Sequence, residues 1–291
     1  MNEKAWVYLN GEYIRLKDAK ISILDRGFLY GDGLFETLRA YGGRILKASR
    51  HLERLYRSAS QIHLDIGIDK ESLQSTLEEL LNRNQLSEAI LRITVSRGVS
   101  EHGIQLNPTA PTLSIFARQA NPLSTEKYEQ GVGILISEGT AHRLPHVDPA
   151  IKSCNFLPQI LLQEKARKDE AFDLISTDPE GRICEGTTTN VFFVKDNILK
   201  TPSLSPYLLP GITRQLVLEI AERAGIQSIE SEMRSEQALD ADEAFLVNTG
   251  IEILPVVTIN HRLIGEGSPG PLTRRLREEY LKIVEDPDLS C

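Results

Sequence analysis

Short apolar runs broken by turn residues mark the start of the chain. The run Trp6-Val7-Tyr8-Leu9 is followed by Asn10-Gly11 and then by Tyr13-Ile14. Asn-Gly between two apolar runs is typical of a two-residue hairpin turn, because both residues tolerate the positive φ that the turn requires. A second hairpin is predicted from the run 33–41, which ends at Gly42-Gly43. The chain is therefore expected to open with two antiparallel strand pairs.

Two stretches after the hairpins show the spacing of amphipathic helices. Apolar residues recur every three or four positions in 49–62, and a second helical stretch covers about 70–84. Strand patterns follow near 89–96 and 111–118. This order predicts two helices packed against an antiparallel sheet.

A polar segment separates this first half from the rest. Residues 119–126 contain Pro122 and are typical of a linker. We therefore predict a small N-terminal α/β domain over 1–120 and a larger α/β domain over 121–291, in an α+β or mixed α/β fold. The second half predicts strands at 131–137, 172–177, 190–195, 197–200, 227–231, 243–248 and 253–259, and helices at about 156–168, 212–225, 235–239 and 271–285.

Composition narrows the class of protein without naming an activity. The 291 residues include 33 basic and 41 acidic ones, which gives a net charge of −8. General nucleic-acid binding works by neutralising phosphates, so an acidic chain argues against it. Apolar runs fall short of the roughly 18–20 residues that a membrane span requires. The first residues also lack the cationic and apolar parts of a signal peptide. We expect a cytoplasmic protein with no nucleic-acid or membrane partner.

The three cysteines, Cys154, Cys184 and Cys291, are far apart in the chain. They are too few and too scattered for a disulfide framework or a zinc site. No metal site is predicted.

Lys152 is the first candidate for a reactive side chain. It lies among small and apolar residues just before a predicted helix, rather than on a charged face. A lysine in a low-dielectric pocket loses proton affinity and becomes a usable nucleophile or base. The alternative is a surface lysine whose apolar stem packs while its amine reaches water.

Glu185 is the second candidate functional residue. It is followed by Gly186 and three threonines, at the entry to the apolar strand 191–194. Such a carboxylate could accept a strong hydrogen bond from a protonated ring nitrogen. The alternative is an ordinary turn, for which Glu-Gly-Thr is common chemistry.

The segment 209–214 (LPGITR) is the third candidate functional feature. Proline and glycine before a helix leave its first N–H groups unbonded, and Thr213 adds a hydroxyl, so the helix start is a candidate anion site. The alternative is simple helix initiation.

Taken in order along the chain, these features resemble the class IV aminotransferases, the pyridoxal-phosphate enzymes of fold type IV. The resemblance covers nearly the whole chain, and no single segment is decisive. The segments that carry it are 25–37 (DRGFLYGDGLFET), 51–56 (HLERLY), 151–155 (IKSCN), 185–190 (EGTTTN), 211–214 (GITR), 241–249 (ADEAFLVNT) and 267–273 (GSPGPLT).

The resemblance implies a role for each site residue. Lys152 would carry pyridoxal 5'-phosphate as a Schiff base, and Glu185 would face the pyridine nitrogen and keep it protonated. The expected phosphate ligands are Arg54, Ile212, Thr213 and Thr249, and the expected ring neighbours are Asn155 and Thr189.

The resemblance also implies a fold and an assembly. We expect a small N-terminal domain and a larger domain with a barrel-like sheet, with the active site between them, in a homodimer. Residues expected to face the substrate are Tyr30, Thr37, Arg39 and Arg97.

The reaction implied is transamination. A substrate amine would displace Lys152 from its aldimine, and the released amine would move the Cα proton to the cofactor in a 1,3-shift. The amino group would pass from a small, branched-chain-like or other aliphatic amino acid to a 2-oxo acid such as 2-oxoglutarate.

Two other members of the family stay open. D-amino acid transaminases trap the substrate carboxylate with an Arg-x-His pair, where this chain has His102 and Ile104. 4-Amino-4-deoxychorismate lyase, which releases 4-aminobenzoate and pyruvate, often shows Phe-Glu-Thr, as here at 35–37. Arg92 favours the branched-chain group, whereas Phe156 stands where those enzymes usually have tyrosine.

A binding or regulatory protein that has lost catalysis is a further alternative. It predicts damage to the lysine, glutamate or phosphate segment, and all three segments are intact.

Overall fold

The structure is a computed structural model of the chain and describes residues 3–101, 103–105, 110–139, 148, 150–205 and 207–286. Contacts divide these residues into two compact units. The first unit takes the described residues within 1–121, 150–155 and 284–291, and the second takes those within 122–149 and 156–283. Among the described residues, no helix has the length and apolar character needed to cross a membrane.

The first unit is a sheet covered by helices, as predicted. Asn10 and Gly11 have φ values of 48° and 97°, as the predicted hairpin turn requires. Its elements are β1 (Trp6–Leu9), β2 (Glu12–Arg15), a 3-10 turn (Leu16–Asp18), α1 (Arg26–Tyr30), β3 (Gly33–Tyr41), β4 (Arg44–Ile45), α2 (Ala48–Gln61), α3 (Lys70–Asn84), β5 (Ala89–Ser96) and β6 (Thr112–Gln119). The strands lie in the order β2-β1-β6-β5-β3-β4, and every pair is antiparallel.

The two faces of β3 have different surroundings, because successive side chains of a strand point to opposite sides. Leu34, Leu38 and Ala40 belong to the apolar core that contains Leu52, Leu55 and Ala59 of α2 and Leu73, Leu77 and Leu80 of α3. Glu36 has the same parity as these residues and is 1% exposed. The helix-packed face of the sheet therefore contains one buried carboxylate from β3.

The segment with Lys152 is built onto the edge of β3. Phe35 donates its backbone N–H to the carbonyl of Lys152 at 3.0 Å, and Cys154 donates to the carbonyl of Gly33 at 2.9 Å. Leu34 and Ser153 form an antiparallel bridge between them. These bonds make 150–155 part of the first unit. The prediction that the lysine belongs to the domain 121–291 is therefore corrected, because sequence order does not reveal this pairing.

The second unit contains a mixed sheet and its helices. Its elements are α4 (Thr125–Gln130), β7 (Val132–Ser137), α5 (Leu157–Lys168), β8 (Asp173–Ser176), β9 (Asn190–Lys195), β10 (Ile198–Pro202), α6 (Ile212–Arg223), β11 (Ser228–Ser231), α7 (Ser235–Leu239), β12 (Glu243–Asn248), β13 (Glu252–Ile259), β14 (Arg262–Leu263) and α8 (Pro271–Glu285). The sheet order is β11-β10-β9-β12-β13-β7-β8, with β14 on β13. The pairs β10–β11, β7–β13 and β7–β8 are parallel, and the others are antiparallel.

Two short helices, α1 and α4, were not predicted from the apolar pattern of the sequence. Helix α1 begins after Asp25, whose side chain accepts a hydrogen bond from the N–H of Gly27 at 2.7 Å. Helix α4 begins at Thr125, inside the segment 119–126 that was predicted to be a linker. Helices of five and six residues span barely one turn and carry little periodic signal, so α1 and α4 were not distinguished from loops, although the equally short α7 was predicted at 235–239.

Candidate active site

The amine of Lys152 lies beside an aromatic ring of its own unit. Lys152 is half-buried, and its Nζ atom is 4.6 Å from the centroid of the Phe35 ring. The guanidinium carbon of Arg92 lies 3.4 Å from the same centroid. An amine, an apolar ring and a second cation are therefore grouped at β3 and β5.

A cluster of charged groups lies between β3 and α2. Arg54 donates from Nε to Oε1 of Glu36 at 2.7 Å and from Nη2 to Oε2 at 2.8 Å. His51, one turn earlier on α2, places its Nδ1 atom 2.8 Å from the same Oε2. All three side chains are buried. Arg54, the predicted phosphate ligand, is thus held on two of its three nitrogens by one carboxylate.

The charge states within this cluster follow from its contacts. Burial alone would raise the pKa of Glu36, but the Arg54 cation and the hydrogen bonds from His51 and Arg54 outweigh it and hold that pKa far below its usual range. Burial lowers the pKa of His51, and the cations of Arg54 and Lys152 act in the same direction against its bond to Glu36. Glu36 is therefore ionised and His51 neutral near pH 7. A neutral His51 donates from Nδ1 to the carboxylate.

In the second unit, Glu185 is a buried and positioned carboxylate. It is 4% exposed, and its Oε2 atom accepts a hydrogen bond from the backbone N–H of Leu209 at 2.8 Å. Its own carbonyl accepts bonds from the N–H and the hydroxyl of Ser176. The carboxylate thus belongs to a fixed segment, although the turn predicted as the alternative is also present, since Gly186 donates to the carbonyl of Thr189 at 2.8 Å.

The start of α6 lies against the same segment. Asn190 donates its side-chain amide to the carbonyl of Leu209 at 3.1 Å. A Cβ atom added to Gly211 would lie 2.0 Å from Oδ1 of Asn190, so only glycine permits this approach. Gly211 is the N-cap and makes no side-chain capping bond, and Ile212 and Thr213 follow it, both buried. The helix therefore begins without a side-chain cap next to Glu185, as an anion site requires.

Thr249 follows β12 in a turn held by Asn248. The side-chain oxygen of Asn248 accepts bonds from the N–H groups of Gly250 and Ile251 at 2.7 and 2.9 Å. Its amide donates to the carbonyl of Thr188 at 3.2 Å. Three segments that are distant in sequence, 185–190, 209–213 and 248–251, are thus joined within one unit.

Asp173 is a site-supporting residue that sequence reasoning missed. Its carboxylate accepts bonds from the hydroxyls of Thr187 and Thr189 at 2.7 and 2.6 Å, and from the N–H groups of Leu174 and Thr187. Burial raises the pKa of Asp173, and these bonds lower it only in part. The hydroxyl of Thr189, predicted to line the cofactor ring, is 4% exposed and donates to Asp173. Asp173 therefore anchors the threonine turn that follows Glu185.

Two further predicted residues lie at the surface of the first unit. Asn155 is exposed and donates its side-chain amide to the carbonyl of Gly31 at 3.2 Å. Tyr30, at the end of α1, is 45% exposed, with the guanidinium of Arg26 5.5 Å from its ring centroid. Both side chains are therefore accessible within this chain.

The predicted substrate-binding arginines differ in what holds them. Arg97 donates from Nε to Asp32 and from Nη1 and Nη2 to the carbonyls of His63 and Ile62, so it ties three segments of the unit together. Arg39 is buried; it lies 3.5 Å from Glu88, and its Nε atom has no partner among the described residues.

Thr37 stands in register with Arg92 on the sheet face that also carries Phe35. The Arg92 guanidinium lies over that ring, whereas each nitrogen of Arg97 already has an acceptor within the unit.

The residues present fit pyridoxal phosphate, each within its own unit. The first unit offers the Lys152 amine and the Arg54 guanidinium, and the second offers the buried carboxylate of Glu185 and the helix start at 211–213. An amine suits a carbonyl group, a buried carboxylate suits a ring N–H, and a cation and helix N–H groups suit a phosphate, so the two units together supply the kinds of group that pyridoxal phosphate requires.

Comparison with known proteins narrows this class. Residues 33–259 match the family of class IV amino-transferases. A relative from Methanocaldococcus jannaschii, provisionally named a branched-chain-amino-acid aminotransferase, is 38% identical over 95% of this chain and 96% of its own. A D-alanine aminotransferase from Bacillus licheniformis is 33% identical over 93% of this chain and 94% of its own. The solved structure of a branched-chain aminotransferase from Thermoproteus uzoniensis with norvaline has a TM-score of 0.90 and 28% identity, with 98% of this chain and 97% of that chain covered.

The chain belongs to the class IV aminotransferases. Its fold is that of the fold type IV enzymes, and its reaction is transamination, which confirms the resemblance seen in the sequence motifs. Its cofactor is pyridoxal 5'-phosphate, whose amine form is present in one solved branched-chain aminotransferase of the same fold.

Proposed function

We propose that the protein moves the amino group of a small aliphatic, branched-chain-like amino acid to a 2-oxo acid such as 2-oxoglutarate. The observation that carries this proposal is the grouping of Lys152, Phe35 and Arg92. The Arg92 guanidinium offers a partner for the carboxylate of the oxo acid, and the Phe35 ring, 3% exposed, is the apolar surface on which both cations rest. The name of the Methanocaldococcus relative and the Thermoproteus structure with norvaline support the same substrate class.

Each site residue has a role in this proposal. Lys152 holds the cofactor through Nζ and then carries the proton that leaves the substrate Cα. Glu185 accepts a hydrogen bond from the ring N–H, so that the bound cofactor acts as an electron sink. The remaining roles are phosphate binding by Arg54, Ile212, Thr213 and Thr249, ring contacts by Asn155 and Thr189, and substrate contacts by Tyr30, Thr37, Arg39 and Arg92.

The hand of the substrate is part of the proposal. The named D-alanine relatives make a D-amino acid the chief competitor. The sequence lacks the Arg-x-His pair of the D-specific enzymes: His102 lies outside the described residues, and Ile104 is 79% exposed and has no polar side-chain group. We therefore propose an L-amino acid as the donor.

A panel assay tests the substrate class. Purified protein loaded with the cofactor receives L- and D-forms of leucine, valine, alanine and glutamate, with 2-oxoglutarate or pyruvate as acceptor. The proposal expects the highest kcat/KM for an L-branched-chain donor; faster turnover of D-alanine would overturn it. A second arm supplies 4-amino-4-deoxychorismate without an acceptor, and robust release of 4-aminobenzoate and pyruvate would favour the lyase.

The role of Lys152 is tested by Lys152→Ala. We expect loss of the cofactor-dependent visible absorption band, and a fall in turnover of at least about 10²–10⁴-fold, the usual contribution of a general acid or base. Lys282→Ala is the matched control, because Lys282 is a surface residue that pairs with Glu279 on the same helix. A Lys152→Ala variant that keeps the band would contradict the assignment.

A cytoplasmic homodimer completes the proposal. Cys154 and Cys184 are free thiols among the described residues, which suits a reducing compartment. Large apolar side chains lie exposed around α1, with Ile23 and Phe28 both 74% exposed, which suits contact with a second copy.

A further inference from the structure

Glu36 lies in the apolar core of the first unit, where an ionised group is costly. It is 1% exposed and shares its face of β3 with Leu34, Leu38 and Ala40. A buried ion pair is weak evidence for stability, because well-packed apolar residues of similar volume often serve as well or better. The presence of Glu36 between the sheet and α2 therefore calls for a further reason.

The geometry of the pair supplies that reason. Oε1 of Glu36 takes Nε of Arg54 at 2.7 Å, and Oε2 takes Nη2 at 2.8 Å. Two parallel bonds between a planar guanidinium and a carboxylate fix the plane of the arginine as well as its position. The direction in which the third nitrogen, Nη1, points is then fixed too.

His51 holds the carboxylate in turn. Its Nδ1 atom is 2.8 Å from Oε2 of Glu36, and it lies three residues before Arg54 on α2, so both side chains leave the same face of the helix. Glu36 is thereby held from two points and cannot rotate about its last bond without losing one of them.

The charges explain why orientation matters here. The pair of Glu36 and Arg54 has no net charge, and His51 is neutral. A neutral cluster attracts a phosphate less by long-range charge than by a well-aimed N–H group. The affinity gained from Arg54 should then depend on where its guanidinium points.

We infer that Glu36 is a positioning residue that aims Arg54 at the cofactor phosphate, with His51 holding the carboxylate in place. This inference rests on the phosphate-binding role proposed for Arg54. Glu36 itself touches neither the phosphate nor the reacting atoms in this scheme and acts only through Arg54.

The test compares two ligands that differ in the phosphate alone. Pyridoxal 5'-phosphate and pyridoxal are each titrated onto the apoprotein, and the dissociation constants are taken from the visible absorption band or from quenching of the protein fluorescence. The ratio of the two constants reports the phosphate interaction separately from the lysine linkage.

Glu36→Gln keeps the size of the side chain and removes its charge. We expect binding of pyridoxal 5'-phosphate to weaken roughly 10- to 100-fold, the loss typical when a residue that orients a ligating group is removed. Pyridoxal should change less than about twofold. The surface variant Glu79→Gln, which breaks the Arg83 pair on α3, is the matched control and should leave both constants unchanged.

A rival explanation predicts the opposite sign. If Glu36 acted only by its charge, Glu36→Gln would remove a negative group near the phosphate and tighten the binding of pyridoxal 5'-phosphate. A preference for the phosphorylated ligand that rises or stays constant therefore overturns the inference. Equal weakening of both ligands also overturns it, because it indicates a structural role only.

Glu36→Asp covers the case in which Glu36→Gln does not fold. It keeps the charge but withdraws the carboxylate by one methylene, so the inference predicts a fall in phosphate preference, whereas a charge-only role predicts none. In an Arg54→Ala background, Glu36→Gln should have no further effect on the preference, because nothing is left to aim.

The single variant Arg54→Ala distinguishes an error in the proposed role of Arg54 from an error in the inference about Glu36. If it leaves the phosphate preference intact, the proposed role of Arg54 is wrong; if it lowers the preference while neither Glu36 variant does, only the inference about Glu36 is wrong.

Discussion

At the scale of single residues, the buried polar groups of the first unit form a set in which each member determines the state of the next. Glu36 remains ionised because Arg54 is beside it, and His51 remains neutral because it is buried among cations while it bonds to Glu36. The groups that face His51 are Glu36 from β3, Arg54 from α2 and Lys152 from the segment on β3.

The neutral state of His51 has a consequence for stability against pH. The folded pKa lies below the unfolded value of 6.5, so the unfolded chain binds a proton that folded His51 does not. This contribution is complete above pH 6.5 and is lost as the pH falls from 6.5 towards the folded pKa, by up to about 1.4 kcal/mol per pH unit. Glu36 stays ionised in the folded state, and its own contribution to stability is lost only as the pH falls past its unfolded pKa of 4.5 towards the folded value, below the window of His51.

His51→Asn should remove that slope, because asparagine can still donate to Glu36 but does not titrate. Urea unfolding at intervals from pH 7.5 to 5 measures the free energy of unfolding for wild type and variant. His261→Asn, at an exposed turn position with φ of 62°, is the control and should retain the wild-type slope. A slope unchanged in His51→Asn would show that folding does not lower the pKa of His51.

Sequence could indicate some of these residues but not others. Lys152 and Glu185 stand in short motifs, so the roles proposed for them come from local context and family resemblance. The supporting carboxylates Glu36 and Asp173 bond to partners 18 and 16 residues away, to Arg54 and Thr189, and no local pattern announces such pairs. One feature of the sequence could have indicated Glu36: it is the charged residue on a strand face otherwise made of Leu34, Leu38 and Ala40.

At the scale of elements, local signals were sufficient for the longer helices and strands. The hairpin β1–β2 follows from Asn10-Gly11, and α2 and α3 follow from apolar spacing. Helix α1 and the joining of 150–155 to β3 were not predicted, because the first spans little more than one turn and carries little periodic signal, and the second pairs residues more than a hundred positions apart.

The threonine turn after Glu185 depends on close packing against β8. A Cβ atom at Gly186 would lie 2.1 Å from Oγ1 of Thr189 and 2.4 Å from Oδ2 of Asp173. Gly186→Ala should therefore break the bond between these two side chains and destabilise the protein by about 1–3 kcal/mol. The melting temperature should fall by roughly 2–4 °C for each kcal/mol.

Gly250→Ala is the control for Gly186→Ala. Its Cβ would meet nothing closer than Oδ1 of Asn248 at 3.5 Å, and it requires no positive φ. Differential scanning calorimetry measures the melting temperature of both variants. Equal melting temperatures for Gly186→Ala and wild type would show that the turn accommodates the Cβ atom without loss of stability.

At the scale of the whole molecule, the exposed apolar residues around α1 carry the prediction about assembly. Glutamate at Ile23 and Phe28 should prevent association of two copies, because it buries two carboxylates against apolar surface. Light scattering should then report the chain mass of 32.5 kDa instead of twice that value. Leu263→Glu, a single exposed residue on β14, is the control. A wild-type protein that is already monomeric would contradict the proposal.

The joining of residues 150–155 to β3 also bears on how the protein is made. A ribosome releases the chain from its N-terminus, so Gly33–Phe35 emerge well before their partners at 152–154. At 5–20 residues per second, the edge of β3 stays open for several seconds, roughly the time to add another hundred residues. An open strand edge is prone to pair with other chains. The nascent N-terminal part of this enzyme is therefore a natural client for chaperones, and a fragment that ends near residue 121 should aggregate when expressed alone.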